Sequence, residues 1–235
     1  MNTRTLIFRQ LFEKVSSTYT YIVACPTTRI AAIIDPVLEM VERDAKLIKE
    51  LHLDLRLGLN THVHADHVTG TGRLAKLFPD MCVGLSDAAG AKCDFTLGHN
   101  EPLKIGRVQM ECRHTPGHTN GCATFVLPAE GLALTGDALL IRGCGRTDFQ
   151  QGNAGTLYDS VWNNILSLPE DFLLFPGHNY EGLTVSSVAE EKQHNPRLTL
   201  PKDQFISLMK NLNLPYPNQI DRAVPANMKN GEGDV

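Results

Sequence analysis

Seven consecutive residues, Thr61-His62-Val63-His64-Ala65-Asp66-His67, place four metal-competent side chains within six positions. They follow a predicted strand over residues 55–61. In the extended part of such a segment His62 and His64 point the same way, because side chains alternate between the two faces of a strand. Asp66 and His67 then fall where the chain turns into a predicted helix over residues 68–78. One histidine here would indicate only a solvated turn, but four ligand types at this spacing predict a metal site.

Three further loops carry ligand-type side chains directly after predicted strands. They are Thr115-Pro116-Gly117-His118-Thr119, Thr135-Gly136-Asp137 and Phe175-Pro176-Gly177-His178. Glycine or proline beside each ligand is typical of rigid loops that a fold presents at one edge of a sheet. Taken alone, His118 or Asp137 could equally be a helix cap or part of a hydrogen-bonded turn. Together with the first cluster, they indicate one shared site.

Short β-branched or aromatic runs alternate with amphipathic ones along the chain. The pattern predicts strands over residues 5–11, 18–25, 29–34, 55–61, 81–86, 107–114, 122–127, 132–136 and 172–175. It predicts helices over residues 38–51, 68–78, 156–168, 184–193 and 202–211. Two β-rich halves with helices suggest two packed sheets with helices outside. We expect a single domain over residues 1–235, with residues 228–235 as a flexible tail.

Composition excludes several classes of protein. There are 22 Lys and Arg against 26 Asp and Glu, a formal net charge of −4, and no basic run, so nucleic acid is a poor candidate partner. No apolar stretch approaches the roughly 18 residues needed to span a bilayer, so we expect no membrane partner. The six cysteines are scattered without a C-x-x-C pair, which is typical of free thiols in a reducing compartment.

The H-x-H-x-D-H motif, followed by His118, Asp137 and His178, resembles the metallo-β-lactamase superfamily. That resemblance implies an α/β fold, an αββα sandwich of two mixed β-sheets with helices on the outer faces. All seven positions of the superfamily's two metal sites are present. The motif does not specify the reaction, because hydrolases, nucleases, flavin-linked oxygen reductases and dioxygenases share it.

A narrower resemblance comes from residues 138–150, Ala-Leu-Leu-Ile-Arg-Gly-Cys-Gly-Arg-Thr-Asp-Phe-Gln. This segment is similar to the persulfide dioxygenases, also called the ethylmalonic encephalopathy protein family. Residues 9–13, 195–199 and 220–228 resemble the same family, so the likeness covers nearly the whole chain. One departure is visible: Gly177-His178-Asn179-Tyr180 stands where the family often has Ala-His-Asp-Tyr.

The family resemblance implies a reaction and a cofactor. Its members oxidise glutathione persulfide with O2 to sulfite and glutathione, in sulfide catabolism. One Fe(II) per chain would be held by His62, His118 and Asp137, because two histidines and one carboxylate form the non-haem Fe(II) oxygenase set. The remaining superfamily positions would orient those ligands and hold waters: His64, Asp66, His67 and His178.

The same resemblance suggests how the anionic tripeptide is held. Arg146 and Arg142 are candidates for binding its carboxylates, since a guanidinium matches a carboxylate in shape and charge. The alternative for either arginine is a structural ion pair, for Arg146 with Asp148. Tyr180 is a candidate hydrogen-bond donor to the substrate, or else a buried tyrosine with a satisfied hydroxyl. For Cys144 we expect a steric or protective role rather than a catalytic thiol.

A second hypothesis keeps every ligand: a glyoxalase II-type thioester hydrolase with a binuclear metal site. Residues 143–147 and the short C-terminal part of the chain argue against it. A non-enzymatic binding module would show degraded ligands, and none is degraded. Family members are often dimers, so a homodimer is expected. The mitochondrial matrix is the expected location in a eukaryote whose presequence has been removed, and the cytoplasm otherwise.

Overall fold

The computed structural model describes residues 5–232, in which two six-stranded mixed sheets face each other. The first sheet has the strand order β1-β2-β3-β4-β5-β6. Its strands are β1 Ile7–Glu13, β2 Thr18–Ala24, β3 Ile30–Ile34, β4 Asp54–Leu59, β5 Cys82–Ser86 and β6 Phe95–Leu97. The first three strands pair antiparallel, and those from β3 to β6 pair parallel.

The second sheet is formed by the later strands in the order β12-β11-β10-β9-β8-β7. Their bounds are β7 Glu101–Ile105, β8 Val108–His114, β9 Ala123–Leu127, β10 Leu132–Gly136, β11 Leu173–Pro176 and β12 Ser186–Ser187. Only β10 and β11 pair parallel in this sheet as described, and the other neighbours are antiparallel.

Among residues 5–232, six α-helices accompany the sheets. They are α1 Val41–Glu50, which follows a short 3-10 turn, α2 Thr71–Leu77, α3 Ala154–Asn164, α4 Val188–His194, α5 Lys202–Lys210 and α6 Ile220–Asn227. Ile48 of α1 and Leu74 of α2 pack on Ile22 of the first sheet. Leu157 of α3 packs on Val126 of the second sheet. The predicted αββα sandwich is therefore confirmed.

The central core lies between the two sheets. Tyr21 and Val23 of β2 meet Phe125 of β9 there, and all three side chains are buried. Every residue of β2 is buried, because one of its faces meets the opposite sheet and the other meets helices. This double burial explains why the strand reads as a continuous apolar and aromatic run rather than an alternating one.

The structure departs from the sequence prediction in a few elements. Strands β6, β7 and β12 and helix α6 were not predicted. β7 contains Pro102 and two charged residues, Glu101 and Lys104, a composition that argues against a strand but is tolerated at a sheet edge. Helix α6 contains Pro225, which ordinarily interrupts a helix.

The polar tail predicted from residue 228 makes defined contacts up to Glu232, whose carboxylate pairs with Lys92 at 2.7 Å. Residues 233–235 of that predicted tail lie outside the described residues. Within residues 5–232, no helix has the length and apolar character needed to cross a membrane.

Phe125→Ala should lower the free energy of unfolding by about 3–5 kcal/mol, because it empties a fully buried site between the sheets. Urea unfolding monitored by circular dichroism measures this change. Val15→Ala is the control, since Val15 is 85% exposed and should stay within about 0.5 kcal/mol of wild type. Equal effects of the two changes would contradict the assignment of the core.

Candidate metal centre

Four loops meet at one edge of the sandwich, where β4, β8, β10 and β11 end. The close approach of these loops depends on glycine. A Cβ at Gly177 would lie 2.6 Å from Asp137 Oδ1, and one at Gly145 would lie 2.8 Å from the His118 ring. Neither distance leaves room for a side chain. These two glycines therefore allow the loops after β8, β10 and β11 to share one site.

His62, His118 and Asp137 come together as predicted. One ligand atom from each lies within 4.8 Å of the others, and His118 Nε2 is 3.7 Å from Asp137 Oδ2. His118 Nδ1 donates to the carbonyl of Arg146 at 2.7 Å. That hydrogen bond leaves the lone pair of Nε2 free for a metal ion.

His62 is oriented in a similar way. The hydroxyl of Thr61 donates to Asp35 Oδ2 at 2.8 Å, so its oxygen can accept from His62 Nδ1, which is 3.0 Å away. The Nε2 atom of His62 is then left as the ligand atom. Burial, the largest influence, and the neighbouring His64 hold the pKa of His62 well below its ordinary value, so the ring is neutral as a metal ligand must be.

His64, Asp66 and His67 form a second group whose ligand atoms also lie within 4.8 Å of one another. His64 Nδ1 and His67 Nε2 are buried and have no hydrogen-bond partner among the described residues. Buried polar atoms are almost always satisfied in proteins, so these two nitrogens indicate a missing partner such as a metal ion or water. Together with His62, His118 and Asp137, these nitrogens form a set of donor atoms that fits metal binding.

His178 joins the two groups. Its Nδ1 lies 2.7 Å from Asp137 Oδ1 and its Nε2 lies 2.8 Å from Asp66 Oδ2. Burial opposes a charge on the ring, but the two carboxylates outweigh that effect and raise the pKa of His178 well above its ordinary value. Burial likewise opposes ionisation of Asp66 and Asp137, yet the nearby imidazoles lower both pKa values. The three side chains form a charged chain across the site.

Asp35, which was not among the predicted site residues, supports the site through hydrogen bonds to Thr61 and His64. It is fully buried with a φ of 50°. Its Oδ1 accepts from the backbone N–H of Thr61 at 2.7 Å and from His64 Nε2 at 2.9 Å. A carboxylate directly after an apolar strand, next to Pro36, was the signal that could have identified it.

A cavity of about 1170 Å³ opens over the metal-binding residues. His118, Asp137 and His178 line it, and residues 214–219 form part of its wall. This volume exceeds what a metal ion and a few waters need, so the site can accommodate a substrate of tripeptide size.

Arg146 lines this cavity, but its N–H groups are largely committed. Nε and Nη2 donate to Asp148 at 2.7 and 2.8 Å, and Nη1 donates to the carbonyl of Pro215 at 2.8 Å. The guanidinium also lies over the Phe149 ring, 4.6 Å from its centroid. The predicted alternative, a structural ion pair with Asp148, is the arrangement found.

The proposed carboxylate-binding role of Arg142 is not supported. Arg142 is absent from the cavity lining of the described chain, and its guanidinium pairs with Glu190 and with the buried Glu191. Tyr180 does line the cavity and is 75% exposed, with its ring parallel to that of His178 at 6.3 Å. The alternative prediction, that Tyr180 is a buried tyrosine with a satisfied hydroxyl, is therefore wrong.

The surroundings of Cys144 explain why its thiol is not expected to act as a nucleophile. Burial raises the pKa of the Cys144 thiol to about 11, so it is protonated at neutral pH and a poor nucleophile.

Asn179 accepts hydrogen bonds at Oδ1 from the backbone N–H groups of Glu181 and Leu183, at 2.9 and 2.7 Å. An aspartate could accept the same bonds, so the departure at position 179 leaves this turn intact.

Comparisons with known proteins agree with this geometry. The sequence-family model of the metallo-β-lactamase superfamily matches residues 14–178 of this chain. The mitochondrial persulfide dioxygenase ETHE1 of Mus musculus is 55% identical over 226 residues, which cover 96% of this chain and 89% of that protein. The chain belongs to the persulfide dioxygenase family. Both the recognised family and the enzyme class are thereby confirmed.

A solved structure gives the same placement within the superfamily. The crystal structure of ETHE1 from Myxococcus xanthus matches this persulfide dioxygenase with a TM-score of 0.93 and 47% identity, covering 96% of this chain and all of the other. A probable hydroxyacylglutathione hydrolase of Schizosaccharomyces pombe is more distant, at 38% identity over 75% of this chain and 68% of its own length.

Asp35→Asn should weaken metal binding by about 10- to 100-fold, because the amide cannot accept all three of the hydrogen bonds that orient Thr61 and His64. Competition with a chelator measures the affinity. Asp54→Asn is the control, since Asp54 is exposed and pairs only with Arg56. Wild-type metal affinity in Asp35→Asn would contradict a supporting role for Asp35.

Proposed function

We propose that this enzyme oxidises glutathione persulfide with O2 to sulfite and glutathione, using one Fe(II) per chain held by His62, His118 and Asp137. The observation that carries the proposal is this cluster of two histidines and one carboxylate, two of which line a large cavity, in a chain of the persulfide dioxygenase family. We further propose that a single domain over residues 1–235 carries the activity.

Bound Fe(II) would supply a redox-active ion with open coordination positions, through which electrons of the persulfide sulfur reach O2, and zinc has no such redox chemistry. The chain itself supplies orientation. The Arg146 carbonyl and the Thr61 hydroxyl fix the rings of His118 and His62. His178 occupies Oδ1 of Asp137, which leaves Oδ2 facing the histidine ligands.

The contacts of His178 support one ion rather than two. Asp66 would be a ligand of a second ion, but its Oδ2 already accepts from His178 and lies 3.0 Å from His67 Nδ1. In this proposal His64, Asp66, His67 and His178 hold the ligands and ordered waters in place around the iron.

Glutathione carries two carboxylates, so its site requires an available cation. Arg222 lines the same cavity as the committed Arg146, and its side chain is 45% exposed, with a loose 3.6 Å pair to Glu39 as its one ion pair among the described residues. We propose that Arg222 binds a substrate carboxylate and that Tyr180 donates a hydrogen bond to the tripeptide. Arg146 then acts on binding through the shape of the cavity wall that it ties to Pro215.

The names of two relatives support a proposal for the cellular location of this enzyme. The mouse and human proteins are named as mitochondrial. We propose a role in sulfide catabolism in the mitochondrial matrix if the source is a eukaryote, and in the cytoplasm otherwise. We also propose a homodimer, which size-exclusion chromatography with light scattering would test.

A glyoxalase II-type hydrolase with two metal ions is the alternative. The second group, His64, Asp66 and His67, with its two unpartnered nitrogens, is the observation that favours it. O2 uptake with glutathione persulfide, set against hydrolysis of S-lactoylglutathione by the same preparation, separates the two reactions. Hydrolysis without O2 uptake would defeat the dioxygenase proposal.

Elemental analysis of protein purified without chelator should find about one iron per chain and little zinc. Asp137→Ala should abolish metal binding because it removes an anionic ligand. Asp66→Ala should keep part of the metal, since loss of a group that only orients ligands reduces affinity by about 10- to 100-fold. Two ions per chain, or equal metal loss in both variants, would contradict the mononuclear assignment.

Arg222→Gln should raise KM for glutathione persulfide by about 10- to 100-fold with little change in kcat, because a charge-assisted hydrogen bond is lost equally from substrate and transition state. Its melting temperature should stay at the wild-type value. Arg146→Gln should instead lower the melting temperature, since it breaks the contacts to Asp148 and Pro215. A selective KM effect in Arg146→Gln alone would reverse the two roles.

A further inference from the structure

Asn227, the last residue of α6, reaches the histidine turn, by which we mean residues 61–67. Its Nδ2 donates to the carbonyls of His64 and His67, both at 2.8 Å. Its Oδ1 accepts from the backbone N–H of Thr69 at 2.8 Å. The side chain is buried, and every hydrogen that its amide nitrogen offers is used on this one turn.

The packing around Asn227 brings the helix close enough for so short a side chain to reach. Ala223 and Ala226 of α6 pack against Val68, which directly follows the histidine turn. A Cβ at Gly231 would collide with the Thr69 carbonyl oxygen, and its φ of 69° already favours glycine. Small residues on α6 and just after it therefore allow direct contact with the turn.

The same helix borders the substrate cavity. Gln219 and Arg222 line the cavity at the start of α6, and Asn227 holds the histidine turn at its end. A rigid helix of eight residues thus connects the cavity wall to the loop that carries four of the metal-competent side chains.

We propose that Asn227 is a positioning residue that sets the conformation of the histidine turn, and with it the metal ligand geometry. Asn227 does not touch metal or substrate, and it acts through the backbone carbonyls of His64 and His67. The inference rests on the proposed metal site. It does not depend on the identity of the ion, because residues of the histidine turn belong to both groups of ligand atoms.

The test compares Asn227→Asp with Asn230→Asp. The first variant keeps the acceptor for Thr69 but replaces both donors with an oxygen that faces two carbonyls. The second is the matched control, since Asn230 Oδ1 only accepts from the Thr71 hydroxyl and an aspartate can do the same. Fe(II) affinity is measured by anaerobic chelator competition, and ligand geometry by the visible absorption of the Co(II)-substituted proteins.

Asn227→Asp should weaken Fe(II) affinity by about 10- to 100-fold and shift the Co(II) spectrum, while Asn230→Asp matches wild type. Wild-type affinity and spectrum in Asn227→Asp, with only a lower melting temperature, would overturn the proposal. Equal losses in both variants would also overturn it, because they would indicate general loosening of the C-terminal segment. The number of ions bound per wild-type chain is measured in the same experiment. A failure of the proposed single iron is therefore distinguished from a failure of the role of Asn227.

If Asn227→Asp does not fold, hydrogen exchange in the wild-type enzyme decides the question. Metal loading should slow amide exchange both in residues 64–69 and in residues 223–228, because the two segments are held together. Slower exchange in residues 64–69 alone would overturn the proposal.

Discussion

The site depends on compensation of buried charge. Asp35 and His178 are buried, and Asp66 and Asp137 lie close to them. A carboxylate or imidazolium removed from water without partners would cost several kcal/mol. Here each charge faces an opposite charge or a directed N–H group, with His178 between Asp66 and Asp137 and with His64 and Thr61 on Asp35. This network holds the ligand atoms in place before an ion is bound, which lowers the reorganisation that binding requires.

Such a network can form only if loops from both sheets approach within van der Waals contact. The parallel pairing of β10 with β11 places Asp137 and His178 at the same edge. The first sheet contributes the histidine turn after β4, and Gly136 lies against Thr61 with a φ of 52°. The two sheets are therefore joined at this edge by polar contacts, while the aromatic and aliphatic side chains between them provide most of the hydrophobic stabilisation.

Most of the fold and the ligand set could be predicted from local patterns. His62, His118 and Asp137 each follow a predicted strand, and this recurrence is visible in the sequence without any structure. The supporting residues could not be found in this way. Asn227 contacts a turn about 160 residues earlier in the chain, and Glu191 holds Arg142 across 49 positions. A lone asparagine or glutamate carries no periodicity or spacing that would indicate such a partner.

The ion pairs of Arg142 could not be predicted for the same reason. Arg142 and Arg146 are four residues apart beside Cys144, and sequence spacing alone treats them as equivalent. The left-handed backbone of Arg142, with a φ of 57°, turns its side chain toward α4, where the buried Glu191 also accepts from its backbone N–H at 3.0 Å. Arg146 turns the other way and meets Asp148.

The two arginines thus secure both sides of the loop whose carbonyl at Arg146 orients His118. In this chain the charges next to the metal ligands therefore hold the loop. If Arg222 binds the tripeptide as proposed, its loose pairing with Glu39 would cost little to break when a substrate carboxylate arrives.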